Sequence, residues 1–386
     1  MANKKNGATG VSLGIACVWM GTHFGPGVAS GVQVNTYYVQ YGIVGIICSI
    51  LAMCILGYAL YCSMEFSRIY KTYDYKAWST TLLGYDWVKW LYDISFIITC
   101  MTALGGSLSA VGNLLHKEFS LNYWIGVIAV VICAMLLCAY GANLVRKAST
   151  YMMYVVLAVI ALIVILAIVT KTGSFSEAQA AAPTVLPNNG NVLGAIWKAV
   201  IYAAFQATVV GNIASVAADL KKRSESRKAA IIGIVGNAAM LIVLGLLLFS
   251  NIANVENLMT SSTPIYDILK KMNMPWLTYV YIITVFVAVL STSVGFAFGG
   301  VARFSQIYNK GKEQSMAKDM IFTGCLLLAC AACSAFGIVK LVSVGYQALG
   351  YLNLPIFILA AIIVGGHKIS KKYIQEKGIE APGIDE

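Results

Sequence analysis

The chain has 386 residues, of which 59% are hydrophobic and 11% are charged, and its mean hydropathy is +0.77. This composition excludes a soluble globular domain and indicates a polytopic membrane protein. The net charge of +11 does not indicate nucleic-acid binding, because the basic residues are accounted for by loops that flank apolar segments.

Apolar runs between charged residues predict ten membrane-spanning helices. Most of these runs exceed the ~20 residues that cross a hydrocarbon core of ~30 Å. All but six of the 27 Lys and Arg residues then fall on the side of the N-terminus. The positive-inside rule therefore predicts a cell-membrane protein with both termini in the cytoplasm. The predicted spans lie near residues 9–40, 41–64, 88–114, 121–143, 148–170, 192–218, 229–253, 275–302, 319–339 and 341–366.

The first span is interrupted between Gly21 and Gly31 by the sequence Gly25-Pro26-Gly27. Such a break exposes backbone groups at membrane depth, which is tolerated where the backbone is buried in protein or binds something. The segment therefore predicts a discontinuous helix of the kind that secondary transporters use to hold substrate and ion. A proline kink with small residues spaced for helix packing is the alternative.

The spans divide into two sets of five around a polar, proline-containing stretch. Because five is odd, the two halves must enter the membrane from opposite faces, which is inverted-repeat topology if they share a fold. The predicted organisation is a cytoplasmic N-terminus (1–8), a first repeat (9–170), an extracellular linker (171–191), a second repeat (192–366) and a cytoplasmic tail (367–386).

Inverted symmetry predicts a second broken helix in span six. Gln206, Thr208 and Asn212 lie near the middle of that otherwise apolar span, which holds no proline. A continuous helix with internal hydrogen bonds is the alternative. A further loop, residues 254–274, predicts a short amphipathic helix over the outer mouth, either a lid or a surface helix without a gating role.

The cysteine and histidine patterns do not indicate a metal centre. Most of the ten cysteines lie inside apolar spans, and His23, His116 and His367 fall at different depths. We therefore expect no structural metal and no cofactor. No nucleophile–base pair occurs at membrane depth, so the sequence does not predict an enzyme.

The segment Gly25-Pro26-Gly27-Val28-Ala29-Ser30-Gly31 resembles the glycine-rich first-helix motif of the amino acid–polyamine–organocation superfamily. The longer run, with Tyr37-Tyr38 and Gly42 following, is similar to YkvI-type membrane proteins, although Val32-Gln33 stands where those proteins usually carry Gln-Glu. The resemblance implies an all-α, LeuT-type five-plus-five fold with broken helices one and six. Helices one, two, six and seven would form a bundle, and three, four, eight and nine a scaffold.

The resemblance also implies a sodium site between helices one and eight. Its oxygens would be the carbonyls of Gly21, Phe24 and Ala288 and the hydroxyls of Ser291 and Thr292. Carbonyl and hydroxyl oxygens suit a small hard cation. The alternative is that these hydroxyls bond the carbonyls four residues earlier in their own helix.

The outer half of helix one predicts the substrate chemistry. Gly27, Val28 and Ala29 offer backbone N–H groups that suit a carboxylate. This indicates an amino acid or similar zwitterion, or an amine held in an aromatic cage. The other residues predicted to line the site are Trp19, His23, Phe24, Gly25, Ser107, Tyr202, Phe205, Gln206 and Thr208.

The ionisable residues leave the coupling ion open. His23 lies about 20 Å along the first span, near the midplane, where a titrating imidazole would couple protons. Lys147, at the inner end of span five, is a further candidate for a fixed cation in place of sodium. The sequence predicts a sodium-coupled symporter, a monomer or homodimer, whose partners are a small solute and membrane lipid. A proton-coupled transporter and a non-transporting sensor or receptor are the alternatives.

Overall fold

The computed structural model describes residues 8–140, 142–309 and 315–384, and the side chains within these ranges except those of 8–9, 140–153 and 306. The regular elements in these ranges are all helical, which confirms the predicted all-α class. Seven helical stretches there are long and apolar enough to cross a membrane, and two shorter apolar helices are Tyr123–Ala139 and Tyr154–Val169.

The first half of the chain follows the predicted spans closely. A π-helical turn over Cys100–Leu104 joins α6 to α7. The region predicted as a linker contains a helix of its own, α10. The helices are α1 (Ala8–His23), α2 (Pro26–Ala29), α3 (Val32–Tyr37), α4 (Ile43–Tyr70), α5 (Tyr75–Leu83), α6 (Val88–Thr99), α7 (Gly105–Phe119), α8 (Tyr123–Tyr140), α9 (Ala142–Val169) and α10 (Phe175–Val185).

The second half has a matching succession of helices. Two π-helical stretches, Leu341–Gly345 and Leu354–Gly365, flank α18. The helices are α11 (Val192–Gln206), α12 (Val210–Val216), α13 (Arg223–Ser250), α14 (Pro264–Met272), α15 (Pro275–Tyr308), α16 (Met316–Ser334), α17 (Ile338–Lys340), α18 (Tyr346–Asn353), α19 (Gly366–Lys368) and α20 (Lys371–Lys377).

The predicted break in the first span is present as two interruptions. Gly25 is extended (φ −74°, ψ 176°), and Pro26 begins α2, where its missing N–H removes no helical hydrogen bond. Between α2 and α3, Gly31 has φ +89°, a conformation that favours glycine. A Cβ at Gly31 would also come within 3.2 Å of Ile265 and Leu248. The chain therefore turns twice within about ten residues.

The predicted break in span six is also confirmed. A 3-10 turn over Ala207–Val209 separates α11 from α12. No proline is needed, because a change from α to 3-10 hydrogen bonding is enough to offset the two half-helices. Gln206 and Thr208 lie at this turn, where both side chains are partly exposed.

Two packed groups of helices match the expected bundle and scaffold. In the bundle, α13 packs on α1 and α4, and α4 packs on α11. Glycine permits this close approach, because a Cβ on Gly233 would lie 2.1 Å from the Trp19 ring and one on Gly57 would lie 2.2 Å from Ile234. In the scaffold, α7, α8, α15 and α16 pack on one another, and α9 packs on α15.

The loop between α13 and α15 contains the predicted short helix, α14, which packs its apolar side inward. Its first residues are tied to the break in the first span, because the Ile265 N–H donates to the Ser30 carbonyl at 3.2 Å. Two ion pairs fasten α14 to the end of α7: Lys117–Asp267 at 2.9 Å and Lys270–Glu118 at 3.1 Å. We call this side of the molecule the α14 face.

Candidate functional site

The break between α1 and α2 leaves backbone groups without partners. Among the described residues, no donor satisfies the carbonyls of Gly21, Thr22, His23 and Phe24. Pro26 contributes to this directly, because it lacks the N–H that would bond the Thr22 carbonyl in a continuous helix. Four free carbonyls at membrane depth are costly unless they face a ligand, an ion or water.

Open space adjoins this break at one glycine and not at the other. A Cβ built on Gly25 would meet no atom within 4 Å, whereas one built on Gly27 would lie 2.2 Å from Nε2 of Gln33. The amide of Gln33 therefore covers Gly27. A side chain would therefore have room at Gly25 and not at Gly27.

His23, the last residue of α1, joins three helices of the bundle. Its Nδ1 lies 2.6 Å from Oδ1 of Asn237 on α13, and its Nε2 lies 2.8 Å from the hydroxyl of Tyr202 on α11. The Asn237 amide is oriented by its own Nδ2, which donates to the Gly233 carbonyl at 2.8 Å. His23 Nδ1 must therefore donate, and in the neutral ring Nε2 accepts from Tyr202.

An aromatic cluster lies next to His23. The Tyr202 ring makes an edge contact with Tyr37 at 5.3 Å, and Phe205 stacks on Tyr346 at 4.6 Å with an interplanar angle of 12°. Tyr38 lies 4.9 Å from Tyr202 and is buried. The cluster joins α3, α11 and α18, so the predicted residues Tyr202 and Phe205 lie together beside the break.

The other predicted substrate residues lie in several different surroundings. Phe24, Val28 and Ala29 are buried at the break, and the Ala29 carbonyl accepts from the Tyr281 hydroxyl at 3.2 Å. Ser107 lies on α7, which packs against α2, but its hydroxyl donates to its own helix at Ala103. The Trp19 side chain of α1 packs between α4 and α13, against Gly57 and Gly233.

The predicted sodium ligands lie on two helices that have different main packing partners. α1, which ends beside Gly21 and Phe24, packs on α13 and α12, while α15 packs on α9, α8 and α16. On α15 the Thr292 hydroxyl donates to the Ala288 carbonyl at 2.9 Å, the bond expected under the alternative interpretation. Ser291 is partly exposed. The sodium assignment stays a prediction.

Three residues of the site were not singled out from the sequence. Asn237 had a detectable signal, since it is a lone amide inside the apolar span 229–253. Gln33 was noted only as a departure from the YkvI-type pattern, and Tyr346 had no signal, because only the folding of α3 across α2 and α18 brings them to the break. Lys147, the fixed-cation candidate, has its side chain outside the described residues.

No protein-family model matches the sequence, and no curated protein matches it at a significant level. Solved structures do match. A Na+-coupled sialic acid symporter in a substrate-bound outward-open state is 14% identical with TM-score 0.60, over 91% of this chain and 79% of that one. MhsT in complex with L-phenylalanine is 15% identical with TM-score 0.61, over 95% and 92%.

A manganese transporter of Eremococcus coleocola is 12% identical with TM-score 0.53, over 98% of this chain and 93% of that one. At these identities the likeness shows the fold alone. The chain therefore has an all-α, LeuT-type fold with broken helices in both halves.

Proposed function

We propose that this protein is a secondary active transporter that takes up a small zwitterionic solute, such as an amino acid or related amine, by alternating access. The observation that carries the proposal is the break at Gly25, where free carbonyls border open space at membrane depth. Transporters among the structures of similar fold support it, including one bound to L-phenylalanine. No step of this function needs a cofactor or an enzymatic reaction.

The proposed substrate contacts combine backbone and aromatic groups. The N–H groups of Gly25 and Gly27 have no partner among the described residues and suit a carboxylate. Tyr202 and Phe205 would enclose the apolar part of the solute, with Gln206 and Thr208 at the second break as polar contacts. The remaining proposed contacts are Trp19, His23, Phe24, Val28, Ala29 and Ser107.

We propose sodium as the coupling ion, held by the carbonyls of Gly21, Phe24 and Ala288 and the hydroxyls of Ser291 and Thr292. The free carbonyls of Gly21 and Phe24 support this assignment, as does the Na+-coupled symporter of similar fold. Sodium bound to both α1 and α15 would draw the two helices together. Substrate and sodium should then each raise the affinity for the other, because linkage is reciprocal.

A proton-coupled transporter is the second candidate. The specific observation in its favour is the buried His23, which bonds Asn237 and Tyr202 on two other helices. A change in its protonation would reverse the donor and acceptor roles at Tyr202 and so link charge to the position of α11. We further propose that the chain is similar to YkvI-type proteins, with two five-helix repeats (9–170 and 192–366) and both termini cytoplasmic.

A thermal-shift screen of amino acids and amines, with and without sodium, tests the proposal directly. A ligand that binds only the folded state raises the apparent unfolding temperature. Uptake into liposomes reconstituted with the purified protein then distinguishes a transporter from a sensor, which binds its ligand without moving it. A ligand affinity that is independent of sodium and changes with pH would instead indicate proton coupling.

A further inference from the structure

Gln33 on α3 is a buried polar residue that the proposed contacts leave unused. Its side chain is 4% exposed, and its Oε1 has no hydrogen-bond partner among the described residues. Nε2 lies close to Gly27, and the amide donates a hydrogen bond to the phenol oxygen of Tyr346. The donor end of the amide is therefore packed against the chain while the acceptor end is left unpaired.

An unpaired buried acceptor is unfavourable, because it has given up water without gaining another donor. Several such atoms occur in the described part of the chain, for example both amide atoms of Asn309 at the end of α15. Gln33 differs from that residue in its position. It covers Gly27, two residues along the chain from Gly25, so an N–H group of a ligand seated beside Gly25 would supply the donor that Oε1 lacks.

The charge balance around the break restricts the class of ligand. Residues 19–38, 199–212 and 341–366, which surround the break, include no Asp or Glu. A buried ammonium group would therefore be matched by neutral oxygens, namely the free carbonyls and Gln33 Oε1. Burial of a bare cation without a counter-charge is costly. A ligand that carries its own carboxylate avoids that cost.

We propose that Gln33 is a specificity-determining residue whose Oε1 accepts a hydrogen bond from the amino group of a zwitterionic ligand beside Gly25. It thereby selects amino acids over the corresponding carboxylates that lack the amino group. This inference rests on the proposed function, because it assumes that the break is the substrate site. It specifies the amino group as the part of the substrate that the site recognises.

The test measures affinity by thermal shift on the purified full-length protein. The probes are the twenty common L-amino acids, each paired with its des-amino carboxylate. Gln33→Met keeps the length of the side chain and removes the acceptor, so affinity for the amino acid should fall about tenfold while affinity for its des-amino partner is unchanged. Gln33→Glu keeps an acceptor oxygen and should preserve the discrimination.

Asn309→Leu is the matched control, since it removes another buried, unpaired amide far from the break and should leave both affinities unchanged. Equal loss for both members of a pair in Gln33→Met would make Gln33 a packing residue and overturn the inference. So would unchanged affinity for the amino acid. If Gln33→Met does not fold, Gln33→Asn withdraws the same amide by one methylene and gives the same comparison.

The two levels of the proposal fail differently. Wild-type protein that binds no amino acid would contradict the proposed substrate class, and the role of Gln33 with it. Wild-type protein that binds amino acids and their des-amino partners equally well would contradict the role of Gln33 alone.

Discussion

The two glycines of the Gly25-Pro26-Gly27 break should respond differently to the same substitution. At Gly27 an added methyl group would lie 2.2 Å from Nε2 and 2.9 Å from Cδ of Gln33, so the amide or α2 must move. Overpacking of this kind costs typically about 1–3 kcal/mol. At Gly25 the φ of −74° is open to any residue, and the methyl group would meet nothing within 4 Å. Gly25→Ala should therefore stabilise the protein by about 0.4–1 kcal/mol through the unfolded state.

Ligand binding should separate the two variants further. Gly25→Ala fills the space that we assign to the solute, so it should weaken binding while the unliganded protein unfolds at the wild-type temperature or above. Gly27→Ala should lower the unfolding temperature, and Gly27→Leu should still insert into the membrane but lose binding. Thermal unfolding in detergent, with and without the solute found in the amino acid screen, measures both quantities.

Two results would refute this reasoning. Normal ligand affinity in Gly25→Ala would show that the open space is not the substrate site and that the first-span break serves packing alone. Wild-type stability in Gly27→Ala would show that the Gln33 amide is not held against the backbone of α2.

Three further predictions concern the ion and the α14 face. If His23 couples protons, His23→Gln should leave solute binding intact and abolish the pH dependence of uptake; an unchanged pH profile removes it from the mechanism. Ser291→Ala combined with Thr292→Ala should raise the sodium concentration needed for uptake without a loss of folding, and equal uptake in sodium and potassium by the wild type would contradict the sodium site. Asp267→Asn breaks a partly exposed pair with Lys117 and should cost only about 0.2–1 kcal/mol, yet it should speed solute release if α14 is a lid, as a release assay would show.

Much of the fold was predictable because the membrane constrains it strongly. Backbone groups must be satisfied within each helix, so charge-free runs and their breaks carry the topology. Pro26 marked the first break, with a proline kink as the alternative. The second break, at Ala207–Val209, has no proline and followed from symmetry rather than from local sequence. The helix α10 was missed, because its Pro183 and the Pro-Asn-Asn-Gly sequence after it are typical of a loop.

The site was only partly predictable, because side-chain contacts depend on how the half-helices turn. The sequence selected Tyr202 and Phe205 from their position in span six, and both lie beside the break. It selected Trp19 by the same argument, yet that ring fills the groove above Gly233. Composition cannot distinguish these outcomes, since an aromatic residue in a broken helix can face either a ligand or a neighbouring helix. The covering of Gly27 by Gln33 depends on the turn at Gly31.

The two sides of the first-span break are packed differently. On the α14 face, α14 is tied to Ser30, and the Tyr37 hydroxyl of α3 donates to the Val342 carbonyl of the last span at 3.3 Å. On the other side of the break, Thr22 on α1 and Gly295 on α15 are both exposed. If these ties close the proposed site toward the α14 face, alternating access requires a second conformation in which they open. Sodium bound to both α1 and α15 should favour a conformation in which Thr22 and Gly295, both exposed here, lie closer together.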